Sequence, residues 1–199
     1  VELKISDNDD LVSLEGLGKT TKLQMLEISD NAALTDLGGL MYMQFAPRDD
    51  AVIIISGNTA LLSLVGIPCP PSARRLEIVD NDSLIGLNGL EELTNLTSSS
   101  GLCDFDCCDS ANLIISGNAS LATLDRLGNL SSFVLDGEGC METDLTVNVS
   151  DNPALAYCEI CPLHAAATGP DFYLAQIQTT GNLADACCAD PSVGTLTCL

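Results

Sequence analysis

The stretch Leu113–Leu121, LIISGNASL, has close copies elsewhere in the same chain. LKISDNDDL begins at Leu3, LEISDNAAL at Leu26 and LEIVDNDSL at Leu76. Each copy has two apolar residues spaced two apart, then a polar corner that ends in asparagine, and then a leucine three residues later. A phrase that recurs in this way is the signature of a repeat protein, and its period predicts the fold.

The recurring asparagine sets that period. The copies align on Asn8, Asn31, Asn58, Asn81, Asn118 and Asn152. The intervals are 23, 27, 23, 37 and 34 residues, and Asn182 in TTGN, 30 residues further on, is a degraded seventh copy. Apolar residues fill columns five and three residues before the asparagine, and three, six and nine residues after it. Cys158 and Cys161 occupy the last two columns of the sixth copy, so we expect both to point inward.

These columns predict the local structure of each copy. Positions two apart point to the same face of a strand, so the first two columns predict a short strand with two inward side chains. The polar corner follows, because Asn and Gly tolerate left-handed backbone. The later apolar residues, at every third position, suit short extended or 3₁₀ pieces and are too sparse for long helices. Stacked copies would bury one continuous apolar column, as a solenoid does.

The invariant asparagine predicts a ladder of inward amides. A buried turn leaves backbone groups unpaired, each at about 1–3 kcal/mol, and an amide offers two donors and an acceptor. The alternative is that asparagine supplies only turn geometry, with its side chain in water. Asp or Gly could do that, yet neither replaces it in the six copies, so we favour the ladder.

The phrases LEISDNAALTDLGGL, LEIVDNDSLIGLNGL and LIISGNASLATLDRLGNL resemble the receptor L domain. That family is the leucine-rich-repeat-like β-solenoid of insulin-receptor and epidermal-growth-factor-receptor ectodomains and of some anchored cell-wall proteins. The likeness covers about Leu3 to Cys161, and the leucine three after the asparagine favours it over the ordinary leucine-rich repeat. It implies a mainly β fold, a right-handed β-solenoid of about seven coils with a disulfide-rich C-terminal cap.

The length of 199 residues predicts a single domain, 1–199, with repeats over about 1–161 and a cysteine-rich cap over about 158–199. Seven Lys and Arg against 28 Asp and Glu give a formal charge of −21. Such a surface repels phosphate backbones and anionic lipids, so we expect no nucleic-acid partner and no membrane insertion. The chain shows no signal peptide, and we expect a processed chain or a piece of a longer one.

Ten cysteines predict disulfides and an extracellular or cell-surface location. They are Cys69, Cys103, Cys107, Cys108, Cys140, Cys158, Cys161, Cys187, Cys188 and Cys198. They fall into two groups of five, so either a bond joins the groups or one thiol in each stays free; the pairing stays open. CEICPLH also has zinc spacing in Cys158, Cys161 and His164. Both cysteines occupy repeat columns, which favours a disulfide over a metal site.

Catalysis finds little support, because His164 is the only histidine and no Gly-rich phosphate loop is present. We therefore expect no enzyme and no cofactor. The acidic clusters SDNDD at 6–10, RDD at 48–50, DNDS at 80–83 and CDFDCCD from Cys103 lack the EF-hand pattern. Weak Ca²⁺ binding there is an alternative to simple solvation. Asn95, Asn129 and Asn148 are glycosylation candidates, whereas the sequons at Asn81 and Asn118 belong to the buried ladder.

Two function classes remain. The first is an extracellular recognition module that binds a protein or glycan at the cell surface, through cysteine-bearing inserted loops or the outward strand positions. Those positions, four before each asparagine, are Lys4, Glu27, Ile54, Glu77, Ile114 and Asn148. The second is a structural subunit of a wall, sheath or filament, assembling head to tail through an uncapped N-terminal coil.

Overall fold

Parallel β-strands dominate the structure. The computed structural model describes residues 1–17, 22–47, 51–98, 112–130, 132–135, 146–163 and 177–183. Within them, twelve strands form three sheets, and every strand pair is parallel. Helical structure is sparse, with short 3₁₀ helices at Gly38–Leu40, Asp125–Leu127 and Tyr157–Ile160. The mainly β class predicted from the repeat is confirmed.

The main sheet takes one strand from each repeat. Its strands are β1 (Glu2–Ser6), β3 (Met25–Ser29), β5 (Val52–Ser56), β7 (Arg75–Val79), β9 (Asn112–Ser116), β11 (Thr146–Ser150) and the two-residue β12 (Ile177–Gln178). They lie side by side in that order. Equivalent residues pair, so that Leu26 is opposite Ile53 and Ile53 is opposite Leu76. Residues at the same position of neighbouring repeats are therefore the residues that pair in the sheet.

Two smaller sheets are built from short strands, each of which comes just before a strand of the main sheet in the chain. One pairs β2 (Lys22–Leu23) with β4 (Gln44–Phe45). The other has the order β10–β8–β6, from β6 (Ser72–Ala73), β8 (Asn95–Ser98) and β10 (Ser132–Leu135). We call these two small sheets together the second wall. β4 and β6 belong to different sheets, so the second wall is interrupted between them.

The core is aliphatic, and its columns are those of the sequence pattern. Leu26 and Ile28 of β3, like their equivalents in the next three repeats, are completely buried. The leucines three and six after the asparagine are also completely buried in three repeats, at Leu34, Leu37, Leu61, Leu64, Leu84 and Leu87. In the first repeat Leu14 is buried, whereas Leu3, Ile5, Leu11 and Leu17 are half-buried.

The aligned asparagines form one chain of hydrogen bonds across the repeats. In each, the backbone N–H and Nδ2 donate to Oδ1 of the asparagine in the following repeat, at 3.2 and 3.1 Å from Asn31 to Asn58 and 3.1 and 3.3 Å from Asn81 to Asn118. Nδ2 also reaches a carbonyl in the preceding repeat, as from Asn81 to Ile55 O at 3.0 Å. Five members are completely buried: Asn31, Asn58, Asn81, Asn118 and Asn152.

The ladder has two different ends among the described repeats. Asn8 is exposed, and it donates to Asn31. At the other end Asn152 donates to Asn182 at 3.1 and 3.2 Å, so the degraded seventh copy extends the ladder. The amides thus satisfy the buried corners in the way that the recurring asparagine predicts.

The sixth repeat differs from the others after its asparagine. The repeat columns predict that Cys158 and Cys161 point into the core, and the structure has both half-buried. Ile160, at the end of the 3₁₀ helix Tyr157–Ile160, and Leu163 are the fully buried residues of this segment, at 0% and 2% exposure. Most of the predicted cap, including His164, lies outside the described residues, as do RDD at 48–50 and the cysteine-bearing stretches 99–111 and 136–145.

The residue before each ladder asparagine has positive φ. It is aspartate in four repeats and glycine in three, with φ of 55° to 59° for the aspartates and 66° to 78° for the glycines. The carboxylate of each inner aspartate fills the space that a Cβ would need at the glycine of the next repeat. The pairs are Asp30 with Gly57, Asp80 with Gly117, and Asp151 with Gly181. In these three pairs the aspartate carboxylate and a Cβ on the corner residue of the following repeat would compete for the same space, whereas the first two repeats carry aspartate at both corners, Asp7 and Asp30.

Replacing Gly117 tests this pairing. We expect Gly117→Ala to lower the free energy of unfolding by about 1–3 kcal/mol, because the new Cβ is strained at positive φ and meets the Asp80 carboxylate. In an Asp80→Ala background the cost should fall, since the carboxylate is gone. Urea denaturation of the wild type, the two single variants and the double variant gives the coupling free energy between Asp80 and Gly117. Gly86→Ala is the control, because a Cβ there makes only an ordinary contact of 3.6 Å. An equal cost in both backgrounds would contradict the pairing.

Candidate functional site: the outer face of the main sheet

The outward residues of the main sheet form three straight rows. The row four before each asparagine runs through paired neighbours Lys4, Glu27, Ile54, Glu77, Ile114 and Asn148, and continues to Gln178. Strands in a sheet are about 4.8 Å apart, which sets the spacing along each row. The sheet thus brings together all six residues that the sequence analysis assigned to a binding face.

Two further rows flank this one. A serine-rich row two before the asparagine contains Ser6, Ser29, Ser56, Val79, Ser116 and Ser150. The sequence analysis missed the row six before it, which contains Glu2, Met25, Val52, Arg75, Asn112 and Thr146. The period of two within a strand could have found this third row, because it is the next outward position. The outer sheet face, as we define it, is these three rows.

Two ion pairs lie on the outer sheet face, and the exposed Glu2 at its edge belongs to neither. Lys4 Nζ lies 2.7 Å from Glu27 Oε1, and Arg75 Nη2 lies 2.6 Å from Glu77 Oε1. The hydrogen bond from Lys4 to the Glu27 carboxylate raises the pKa of Lys4 above its ordinary value. Between these pairs lies Ile54, which is half-buried by its neighbours. The middle of the face is therefore apolar and its charges are already paired.

Two polar atoms on this face are buried and have no hydrogen-bond partner. They are the donor Arg75 Nε and the acceptor Asn148 Oδ1, and no other buried side-chain N or O atom in the described residues lacks a partner. Each such group costs about 1–3 kcal/mol. Both belong to the outer sheet face, two strands apart in the order β7–β9–β11, which is about 10 Å.

The glycosylation candidates differ in accessibility. Asn129 is exposed, and its Nδ2 donates to Glu91 O at 2.9 Å. Asn95 is half-buried in β8, and its Nδ2 donates to Thr94 Oγ1 at 3.0 Å. Asn148 is half-buried on the outer sheet face, so a glycan there would cover the face.

A cleft opens where the second wall is interrupted, and the sequence analysis did not predict it. Its volume is about 580 Å³. The lining is largely apolar, with Met43, Gln44, Phe45, Ala46, Pro47, Pro68, Cys69, Pro70, Pro71 and Ser72. Proline has no N–H to donate to a ladder, so prolines on both sides explain why the two small sheets do not join. The sequence signal was the run PCPP at 68–71.

Cys69 in this cleft is a free thiol, which corrects its place in the predicted disulfide set. Its Sγ donates to Pro70 O at 3.6 Å. Burial raises the pKa of the Cys69 thiol to about 11, so the thiol is protonated at neutral pH and a poor nucleophile. The free thiol agrees with one of the two alternatives that the cysteine count left open.

Cys161 is disulfide-bonded. The other cysteines of the predicted set, apart from Cys69 and Cys158, lie outside the described residues, and their pairing stays a prediction. Over the described ranges, no three His, Cys, Asp or Glu side chains are grouped so that they could hold a metal ion. In the same ranges no helix has the length and apolarity needed to cross a membrane.

Comparison of the chain with protein-family models, with curated proteins and with solved structures found no match.

Proposed function

We propose that the chain is an extracellular, non-enzymatic recognition module that binds a protein or a glycan through the outer sheet face. The unpartnered Arg75 Nε and Asn148 Oδ1 carry this proposal. A native fold rarely leaves buried polar atoms unpaired. When the Arg75 and Asn148 side chains turn toward a ligand, an acceptor for the first and a donor for the second remove both costs. Glycan hydroxyls and peptide groups each offer the two functions.

The rest of the face fits the same role. Ile54 and Ile114 give apolar area at the centre of the face. Glu27 and Glu77 are already in ion pairs, so desolvating their carboxylates on ligand binding costs less free energy. The rows are regular and one strand spacing apart, so an extended ligand can contact several repeats at once. The inserted loops lie outside the described residues, and the proposal does not depend on them.

We further propose that the repeats close into the right-handed β-solenoid of the L-domain type, with about seven coils. Connections between parallel strands of one sheet are right-handed in about 98% of cases. The second wall, formed by β2 and β4 and by β6, β8 and β10, supplies a returning side for most repeats. The disulfide at Cys161 supports a stapled C-terminal cap and an extracellular location.

The test is a binding screen with matched variants. The purified chain is applied to an array of soluble glycans and to a panel of purified extracellular proteins, and the dissociation constant of each hit is measured. We expect Ile114→Glu and Asn148→Ala to weaken binding about tenfold or more, as central contacts do. Met41→Gln is the control, because Met41 is 62% exposed and lies outside the face. No hit in either collection, or hits that all three variants retain, would refute the proposal.

A structural subunit that assembles head to tail is the second candidate. Strand β1 is at the edge of the main sheet, and its Leu3 and Ile5 are half-buried, unlike their fully buried equivalents. An unclosed contact between such an edge and the opposite end of another copy would propagate as a filament. Sedimentation of the chain at increasing concentration separates the candidates. A monomer with strongly protected amides at Leu3 and Ile5 would exclude assembly through this edge.

A further inference from the structure

A column of exposed positions runs along the corner side of the repeats, four residues after each ladder asparagine. It contains Val12, Thr35, Leu62, Ile85 and Ala122. Backbone hydrogen bonds hold the column together, from Thr35 N to Val12 O at 3.4 Å, from Leu62 N to Thr35 O at 3.3 Å and from Ala122 N to Ile85 O at 3.2 Å. These bonds place Thr35 beside Val12, Leu62 beside Thr35 and Ala122 beside Ile85. Leu62 and Ile85 are equivalent positions of two repeats whose strands β5 and β7 pair directly.

Large apolar side chains are exposed at this column. Val12 is 61% exposed, Leu62 is 55% exposed and Ile85 is 61% exposed. Val65, three residues after Leu62 in the sequence, is 60% exposed. We call these four residues the apolar ridge. Thr35 and Ala122 show that the position accepts a small or polar residue, so the fold does not demand the larger ones. Exposed apolar residues in one contiguous group mark interaction sites.

Exposed acidic residues lie close to the apolar ridge in sequence, both before and after the column. Exposed acidic residues next to the column in sequence are Asp9, Asp10, Glu15, Asp36, Asp82 and Asp125. The chain as a whole carries a formal charge of −21. A partner for this surface must offer apolar contacts in the middle and positive charge at the margins. A second copy of the chain and an anionic lipid surface both bring like charge, so they fit poorly.

We infer that the apolar ridge binds a basic amphipathic α-helix that lies along the stacking direction of the repeats. Neighbouring repeats are about 4.8 Å apart, and one helical turn advances 5.4 Å. The apolar residues of such a helix at i, i+4, i+7 and i+11 therefore follow the ridge from Val12 to Ile85. Lys or Arg on either side of that stripe reaches the bordering carboxylates. This site shares no residue with the outer sheet face and does not depend on the function proposed for it.

The test uses a defined peptide. The probe is a fluorescent peptide of about 18 residues, long enough to form a helix, with Leu at i, i+4, i+7 and i+11 and mostly Lys elsewhere. A second peptide has the same composition in an order without the apolar stripe. Fluorescence anisotropy measures both against the wild-type chain, the double variant Leu62→Gln/Ile85→Gln and the control Met41→Gln. Circular dichroism establishes that the variants are folded.

We expect the striped peptide to bind the wild type, and the rearranged peptide to bind about tenfold more weakly or worse. The double variant should lose at least as much affinity for the striped peptide, whereas Met41→Gln should keep it, and added salt should weaken binding. Absence of binding, equal binding of the two peptides, or full retention by the double variant would overturn the inference. So would self-association in sedimentation that Leu62→Gln/Ile85→Gln abolishes, because a second copy would then occupy the ridge.

Discussion

Leu61→Asp should abolish folding, whereas Leu62→Asp, one residue along, should leave the chain folded. Leu61 is completely buried in the column three after Asn58, and Leu62 is 55% exposed. A buried carboxylate has no cation or donor in that aliphatic column, and transfer of an unpaired charge out of water costs more than the whole stability of a typical domain, about 5–15 kcal/mol. The exposed position keeps its aspartate in water.

The measurement is urea denaturation followed by circular dichroism, with the wild type alongside both variants. Leu84→Asp and Ile85→Asp form a second matched pair in the next repeat, at 0% and 61% exposure. If Leu61→Asp unfolds at a free energy within about 1 kcal/mol of the wild type, the column is not the core and the repeat alignment is wrong.

Removing one amide from the middle of the ladder should have the second largest effect. Asn81 Oδ1 accepts from the backbone N–H and the Nδ2 of Asn58 at 3.2 and 3.3 Å, and Asn81 Nδ2 donates to Ile55 O at 3.0 Å. Asn81→Ala leaves several of these buried groups unpaired. At about 1–3 kcal/mol for each, the free energy of unfolding should fall by about 3 kcal/mol or more.

Asn8→Ala is the matched control, because Asn8 occupies the same column but is exposed. Its backbone N–H still donates to Asn31 Oδ1 in the variant, and water replaces the lost side-chain bonds. We expect a loss of about 1 kcal/mol or less, measured by the same denaturation. Equal losses for the two variants would mean that the ladder contributes turn geometry alone.

The sequence predicted the sheet because the repeat columns constrain each other. Leu26, Ile53 and Leu76 are equivalent only if their repeats stack in register, and they do pair in that way. The asparagine ladder followed from the same alignment, since a residue that never varies at a buried corner has to satisfy backbone groups. The row containing Glu27 and Ile54 followed from the two-residue period of a strand.

Other features were beyond the pattern. Cys158 and Cys161 are at the predicted columns, but the 3₁₀ helix Tyr157–Ile160 begins five residues after Asn152, whereas Asp125–Leu127 begins seven residues after Asn118. The repeat period does not report such a local shift. The interruption between β4 and β6 depends on how prolines from two different repeats meet. The exposure of Leu62 was also not predicted, because the sequence does not distinguish an exposed leucine next to a core leucine from a buried one.

The alternation of aspartate and glycine at the corner limits how this chain can change in length. Each repeat contacts its neighbours, so a stack of this kind can grow by duplication of units. Copying one repeat from Asp30 onward would set glycine on glycine or aspartate on aspartate, and the chain already has the second arrangement at Asp7 and Asp30. Copying an aspartate repeat together with the glycine repeat that follows, as with Asp80 and Gly117, preserves the fit. A pair of repeats is therefore a unit that an engineered array can copy without changing the arrangement at the corner.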